Sequence, residues 1–213
     1  MGECCYSGEY AEFFSERAAH RTARRFLRRG LRGSARALAD AVAGAGLEEA
    51  TILEVGGGVG GIHVDLLRRG AAAAINVELS PSWEEPAMHV LSQNGLEDRV
   101  DRRFGDFVAV ADDLPSADVV ILHRVLCCYP DWPAMLGAAL EKAQRLVGFT
   151  VPVDRWWTRL AIGAGNALLR ARGRDFRAFV HPPQRMIHAM GAAGFSVRSD
   201  RSGLVWQTVV AER

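Results

Sequence analysis

Lysine is almost missing from this chain of 213 residues: of its 26 basic side chains only Lys142 is a lysine, and the rest are arginine. Arginine and alanine are abundant together, which fits a GC-rich coding sequence. Net charge is close to zero, +1 at neutral pH, so no global field draws the chain to nucleic acid. No uninterrupted apolar run approaches the roughly 18 residues that a spanning helix needs, and an integral membrane segment is therefore not expected. The start, Met1-Gly2-Glu3-Cys4-Cys5, lacks the basic head and apolar core of a secretory signal. Tyr6 stands where a myristoylation motif carries Ser or Thr. A cytoplasmic location follows as the expectation. Cysteine is scarce and arranged as two adjacent pairs, Cys4-Cys5 and Cys127-Cys128, without the C-x-x-C spacing of a zinc site. Buried reduced thiols are the ordinary reading of such pairs, so no metal is expected. Convergence of all four thiols on zinc or an iron centre is the alternative. Internal repeats and low-complexity tracts are absent too.

What is present is an alternation. Residues 10–43 read as helical, with arginines recurring at helical intervals and Gly30 and Gly33 breaking the stretch. Seven strands follow: 51–55, 74–78, 100–104, 118–123, 145–151, 195–199 and 205–211. Helices read over 62–69, 82–94, 131–143 and 183–193. Strand and helix alternating at this spacing predict a doubly wound, mostly parallel α/β sheet, with a turn near Ser202-Gly203 joining the last two strands. The stretch 152–182 is too long for an ordinary loop and reads as a helical insertion capping the ligand cleft. The expected division is a single domain: 1–48 as an N-terminal helical lid, 49–151 as a cofactor-binding core, 152–182 as the insertion, and 183–213 as a closing helix and strand pair.

The densest motif is Glu54-Val55-Gly56-Gly57-Gly58-Val59-Gly60-Gly61, between a strand and a helix. Glycines let the backbone turn sharply and approach a ligand. Two patterns fit the same letters. Gly56, Gly58 and Gly61 match the dinucleotide fingerprint G-x-G-x-x-G, and Glu54, Gly56, Gly58 and Gly60 match E-x-G-x-G-x-G. A pyrophosphate at this turn would be opposed by Glu54, whereas S-adenosylmethionine brings an ammonium and a cationic sulfur, which a carboxylate suits. Glu78 ends the second strand, where it can accept hydrogen bonds from both ribose hydroxyls, with Leu79 beside it. Asp106 and Phe107 follow the third strand, placed to take an adenine amino group and cover the purine face.

The ordered set of glycine turn, Glu78, Gly105-Asp106-Phe107 and apolar fourth strand resembles the class I S-adenosylmethionine-dependent methyltransferases across residues 51–150. The resemblance implies S-adenosylmethionine as cofactor, with Glu54, Gly56, Gly57, Gly58, Gly60, Glu78, Leu79, Asp106, Phe107 and His123 around it. Three further regions resemble the magnesium-protoporphyrin O-methyltransferase branch: Phe13-Phe14-Ser15-Glu16-Arg17, Val125-Leu126-Cys127-Cys128-Tyr129-Pro130, and the long insertion before Pro182-Pro183. That branch carries His-Tyr-Pro at the strand exit, where this chain has Cys128-Tyr129-Pro130.

Methyl transfer needs a nucleophile aligned behind the methyl group, and only a phenol or amine gains from a base. His123, at a strand end, is the first candidate for that task, with a plain hydrogen-bonding role as the alternative. Tyr129 is a candidate for orienting the acceptor or for packing beside Pro130. Trp156 and Trp157 in the insertion suit a flat aromatic acceptor, or the insertion's own core. His181 precedes two prolines, and its extended backbone faces the cleft or caps the next helix. Tyr6 and Tyr10 fall in the segment that lids the cofactor in the resembling family. The arginine stripe at 17–36 suits an anionic acceptor, an acidic membrane surface or a solvated helix face. The expected function is O-methylation of a hydroxyl or carboxylate on an aromatic or porphyrin-like small molecule, by a monomer or homodimer without nucleic acid. N- or C-methylation, a nicotinamide-dependent enzyme, and a catalytically silent cofactor-binding regulator are the competing readings.

Overall fold

The computed structural model describes residues 15–213. Tyr10, and with it Cys4, Cys5, Tyr6, Phe13 and Phe14, lies outside the described residues. Two helices open the described chain, α1 (Glu16–Arg29) and α2 (Gly33–Ala43), split at Gly30, whose φ of 62° is a left-handed conformation. The seven strands are β1 (Thr51–Val55), β2 (Ala73–Glu78), β3 (Val100–Phe104), β4 (Ala117–His123), β5 (Ala143–Pro152), β6 (Ser196–Ser202) and β7 (Trp206–Glu212). They form one sheet in the order β3-β2-β1-β4-β5-β7-β6. The first five are parallel, and β7 runs antiparallel to both β5 and β6. This is the expected doubly wound, mostly parallel sheet, and its last strand is antiparallel.

Six helices connect the strands: α3 (Gly61–Leu67), α4 (Glu84–Ser92), the short α5 (Phe107–Val110), α6 (Trp132–Lys142), α7 (Trp156–Ala171) and α8 (Pro183–Ala192). Their starts follow capping chemistry. The Asp131 carboxylate accepts from the Ala134 N–H at 3.2 Å, with Pro133 in the first turn of α6, and Asp106 accepts from the Val108 N–H at 3.0 Å to start α5. Both sheet faces are covered, and the strands alternate accordingly. Val119 and Ile121 of β4 pack with Leu38, Val42, Ile62 and Leu91 on one face, while Val120 and Leu122 pack with Met135, Leu136, Met186 and Met190 on the other.

Two regions differ from their sequence outline. Only α1 approaches the cleft; α2 is a core helix, with Leu38, Ala39 and Val42 fully buried against the sheet. Gly148 of β5 admits it, since a Cβ there would sit 2.9 Å from Leu38. The insertion is helical, as expected, but α7 lies largely in solvent. Thr158 is its one buried residue, and Trp156 is 72% exposed. No described helix is long and apolar enough to cross a membrane.

Candidate cofactor and acceptor site

The strand order reverses beside β1, which has β2 on one side and β4 on the other. Open α/β sheets bind ligands in the crevice at that point, outside the carboxyl ends of the strands. A cleft of about 970 Å³, counted to its mouth, lies there. Its wall carries Gly56, Gly57 and Gly58 after β1, Glu78 and Leu79 at the end of β2, Asp106 and Phe107 after β3, and His123, Arg124, Val125, Cys128 and Tyr129 at the end of β4.

The glycine turn is built for close approach. Gly56, Gly58 and Gly60 all have positive φ. A Cβ on Gly56 would meet Val125 at 2.7 Å, one on Gly57 would run into Asn76, and one on Gly60 into the His63 ring. Gly60 is thus the left-handed residue that starts α3 over a buried histidine, and it is not on the cleft wall. Beneath the turn runs a polar network. Arg102 donates to Asn76 Oδ1 at 2.7 Å and to Glu84 at 2.8 Å, and the Asn76 amide donates to the Glu54 carbonyl at 3.0 Å.

Glu54 corrects an expectation. Its carboxylate meets His63 Nδ1 at 2.7 Å and accepts from the His63 N–H at 3.1 Å, with both side chains buried away from the cleft. The period of two along β1 is the reason: Glu54 shares the face of Ile52, which points at α3 and not at the strand end. The residue buttresses the turn and is not placed to receive an ammonium.

Glu78 does reach the cleft. One carboxylate oxygen accepts from Gly58 N–H at 2.9 Å, and the other from Leu79 and Ser80 N–H at 2.9 and 3.1 Å. Burial raises its pKa above the usual carboxylate value, against the lowering effect of those N–H groups and of Arg102. Asp106 sits opposite, and the Tyr129 hydroxyl donates to its Oδ2 at 3.2 Å. Phe107 is buried at the same wall.

At the β4 end, His123 lines the cleft and its Nδ1 is buried without a hydrogen-bond partner among the described residues. Burial, helped by the Arg124 charge, lowers its pKa to about 3, so the ring is neutral at neutral pH. Arg124 is the next residue, with φ of 60° in a region that L-residues rarely enter. Its guanidinium lies 4.1 Å from the Trp206 ring centroid and donates to Ser34 Oγ at 3.0 Å. Among the described residues it has no carboxylate partner, and burial lowers its pKa.

The insertion contributes nothing to this wall among the described residues. Trp156 and Trp157 pack edge to face, and the Trp157 indole N–H donates to the Leu204 carbonyl at 3.1 Å, away from the cleft. His181 stacks on Phe179 and contacts the Tyr129 carbonyl through Nε2 at 2.9 Å, so it supports the strand exit from behind. Sequence reasoning missed Thr22, Trp83, Arg124, Val125 and Met135 on the cleft wall. Trp83 had a signal: it is the first aromatic after Glu78, and its ring lies 3.3 Å from where a Gly58 Cβ would sit. Thr22, in an arginine-rich helix, had none.

A doubly wound sheet with a glycine turn, an acid at the end of β2 and an acid after β3 defines a nucleoside-cofactor enzyme of the methyltransferase type. The chain belongs to the methyltransferase-domain family, whose model matches residues 10–200, and its cofactor is S-adenosylmethionine. Solved structures share the fold. A magnesium protoporphyrin IX methyltransferase from Synechocystis PCC 6803 with bound SAH is 17% identical, with a TM-score of 0.68, covering 97% of this chain and 93% of that one. An O-methyltransferase family protein from Burkholderia thailandensis is 16% identical, with a TM-score of 0.70, over 93% of this chain and 58% of that one. An O-methyltransferase family 2 protein from Planctomyces limnophilus DSM 3776 in complex with apigenin is 17% identical, with a TM-score of 0.66, over 92% of this chain and 61% of that one.

The residues at the cleft suit that cofactor. Three glycines leave backbone where side chains would intrude, two carboxylates face the space, and a buried imidazole nitrogen there lacks a partner among the described residues.

Proposed function

We propose that this enzyme methylates an anionic oxygen, most simply a carboxylate, on a small aromatic or porphyrin-like acceptor. The observation that carries the reading is Arg124: a residue of the cleft wall whose guanidinium, stacked on Trp206 and bonded to Ser34, has no carboxylate partner among the described residues. A partly desolvated guanidinium binds a carboxylate well, because charge-assisted bonds strengthen as water is excluded.

The bound cofactor supplies an activated methyl group on a sulfonium sulfur. Glu78 holds the ribose hydroxyls, Asp106 accepts from the adenine amino group, Phe107 covers the purine, and Gly56 to Gly58 line the amino-acid end. Leu79 and Trp83 close the apolar sides. Arg124 orients the acceptor oxyanion, and Tyr129, tied to Asp106, shapes the wall between the two ligands.

His123 serves this chemistry as a neutral hydrogen-bonding group. A phenol titrates near 10, so an imidazole with a pKa of about 3 is far too weak a base for it, and full proton transfer would cost on the order of 10 kcal/mol. A carboxylate acceptor is already ionised and needs no such transfer. The two properties of the β4 end, an unneutralised cation and a weakly basic histidine, therefore favour the same acceptor class.

A screen with methyl-labelled cofactor tests the reading. Carboxylates, phenols, amines and a magnesium porphyrin are offered in parallel, and the product is treated with alkali. A methyl ester releases labelled methanol. Label found only on nitrogen or carbon overturns the proposal.

A further inference from the structure

The turn after β4 carries two thiols to which the methyl-transfer reading gives no task. Cys127 Sγ and Cys128 Sγ are 3.9 Å apart, and each lies near the Arg124 carbonyl, at 3.5 and 3.6 Å. Cys127 is buried, and Cys128 is part of the cleft wall. A pyramidal trivalent centre joined to two thiolates by bonds of about 2.3 Å, at an angle somewhat under tetrahedral, holds the sulfurs about 3.4 Å apart. The pair, at 3.9 Å, closes to that bite by a small rotation of the side chains.

Ligand number decides which centre fits. No group of three or more cysteine, histidine or acidic side chains suited to a metal exists among the described residues, so the four ligands of a structural zinc are not provided there. A centre that asks for two protein sulfurs and brings its own third substituent is a monosubstituted trivalent arsenical, and soft thiolates suit it. We infer that Cys127 and Cys128 form a two-sulfur site for trivalent thiophilic metalloids, set in the wall of the cofactor cleft.

Charge assists the first bond. The hydrogen bond with Cys128 lowers the Cys127 thiol, and the Arg124 guanidinium acts in the same direction against burial. The same hydrogen bond, with burial, pushes the Cys128 thiol up. Cys127 therefore gives up its proton first and attacks first, since the thiolate is the ligand. The reaction balances without an oxidant. An arsine oxide R–As=O takes two thiols, two As–S bonds form, the arsenic–oxygen bond breaks, and both thiol protons leave with that oxygen as water. Arsenic stays trivalent. Because Cys128 shares its wall with Glu78 and Asp106, an occupied pair excludes the cofactor; this second half rests on the cofactor reading above, and the first does not.

Phenylarsine oxide is the probe. Cys4 and Cys5 are a second adjacent pair, so the experiment uses the full chain carrying C4S and C5S. Intact-mass measurement should show one adduct per chain that survives excess glutathione and is removed by 2,3-dimercaptopropanol. Adding C127S should abolish that stable adduct. No uptake by the C4S/C5S chain, or retention of a glutathione-resistant adduct after C127S, overturns the site. Should C127S fail to melt cooperatively, Cys127→Ala replaces it, and the adduct count on the C4S/C5S chain still decides. Saturation with S-adenosylhomocysteine should slow uptake at least tenfold. An unchanged rate, in protein that calorimetry shows to bind that compound, overturns the placement on the cofactor wall. Absence of calorimetric binding overturns the cofactor reading and leaves the adduct count to judge the thiols.

Discussion

The ends of β2 and β4 each present a buried titratable group to the same cleft, yet the two are held in opposite ways. Glu78 accepts three backbone N–H groups, so its position is fixed before any ligand arrives. His123 has a ring nitrogen with no partner among the described residues and beside it an arginine in a strained backbone conformation. Burial pushes both toward the neutral form, raising the acid and lowering the base. The hydrogen bonds and Arg102 oppose that push at Glu78; at His123 the neighbouring cation reinforces it. One strand end is therefore a preorganised acceptor, and the other is a polar gap completed by what binds. Preorganisation of this kind reduces the cost of ordering on binding.

The largest effect expected from this contrast is at the fixed end. Glu78→Ala removes a charged acceptor, and bonds to charged groups contribute about 1.5–3 kcal/mol each. Calorimetry with S-adenosylhomocysteine should show at least a hundredfold weaker binding; a change under threefold removes Glu78 from the ribose role. Next comes Arg124→Gln, expected to raise the acceptor KM about tenfold while the affinity for S-adenosylhomocysteine stays within threefold. Equal losses of both would place Arg124 with the cofactor instead.

A smaller effect is readable in stability. His123 has a folded pKa of about 3 and an unfolded value near 6.5, so the unfolded chain binds the extra proton between those limits. The stability it confers is present above about pH 6.5 and is lost as pH falls toward 3, at up to about 1.4 kcal/mol per unit. Glu78 acts with the opposite sign. Its raised pKa gives stability that is full below the ordinary carboxylate value and lost as pH rises through the folded value. His123→Asn should flatten the acid limb in urea titrations between pH 6 and 4, and an identical slope would show that the imidazole does not titrate there. The smallest effect belongs to Trp156→Ser, expected to leave turnover and cofactor affinity within twofold because the ring is off the cleft wall.

The contrast also marks what could be read from letters alone. β1 falls where its apolar run places it, and the glycine turn, Glu78 and Asp106 announce the cleft because backbone approach and strand ends leave strong local signatures. Glu54 was legible as part of the motif but not in direction, since its side chain follows the parity of β1 toward His63. Arg124 was hidden for another reason. Nothing local distinguishes one arginine among many, and its place depends on a left-handed residue and on Trp206, distant in sequence. Trp156 and Trp157 drew notice as aromatics, yet the side of α7 they occupy is set by tertiary packing, which composition does not encode.

The seat of α2 has a consequence for how the chain is made. Leu38 and Val42 pack where β5 and β7 lie side by side, and Arg145 of β5 holds the carbonyls of Ala45 and Gly46 at 2.8 and 2.7 Å. Its closing surface thus lies far downstream in the chain. Until β7 leaves the ribosome, the helix waits with an uncovered oily stripe. Contacts between such distant stretches slow folding. Deleting α2 or β7 strips the same seam, where each large aliphatic side chain contributes about 1.5–3 kcal/mol.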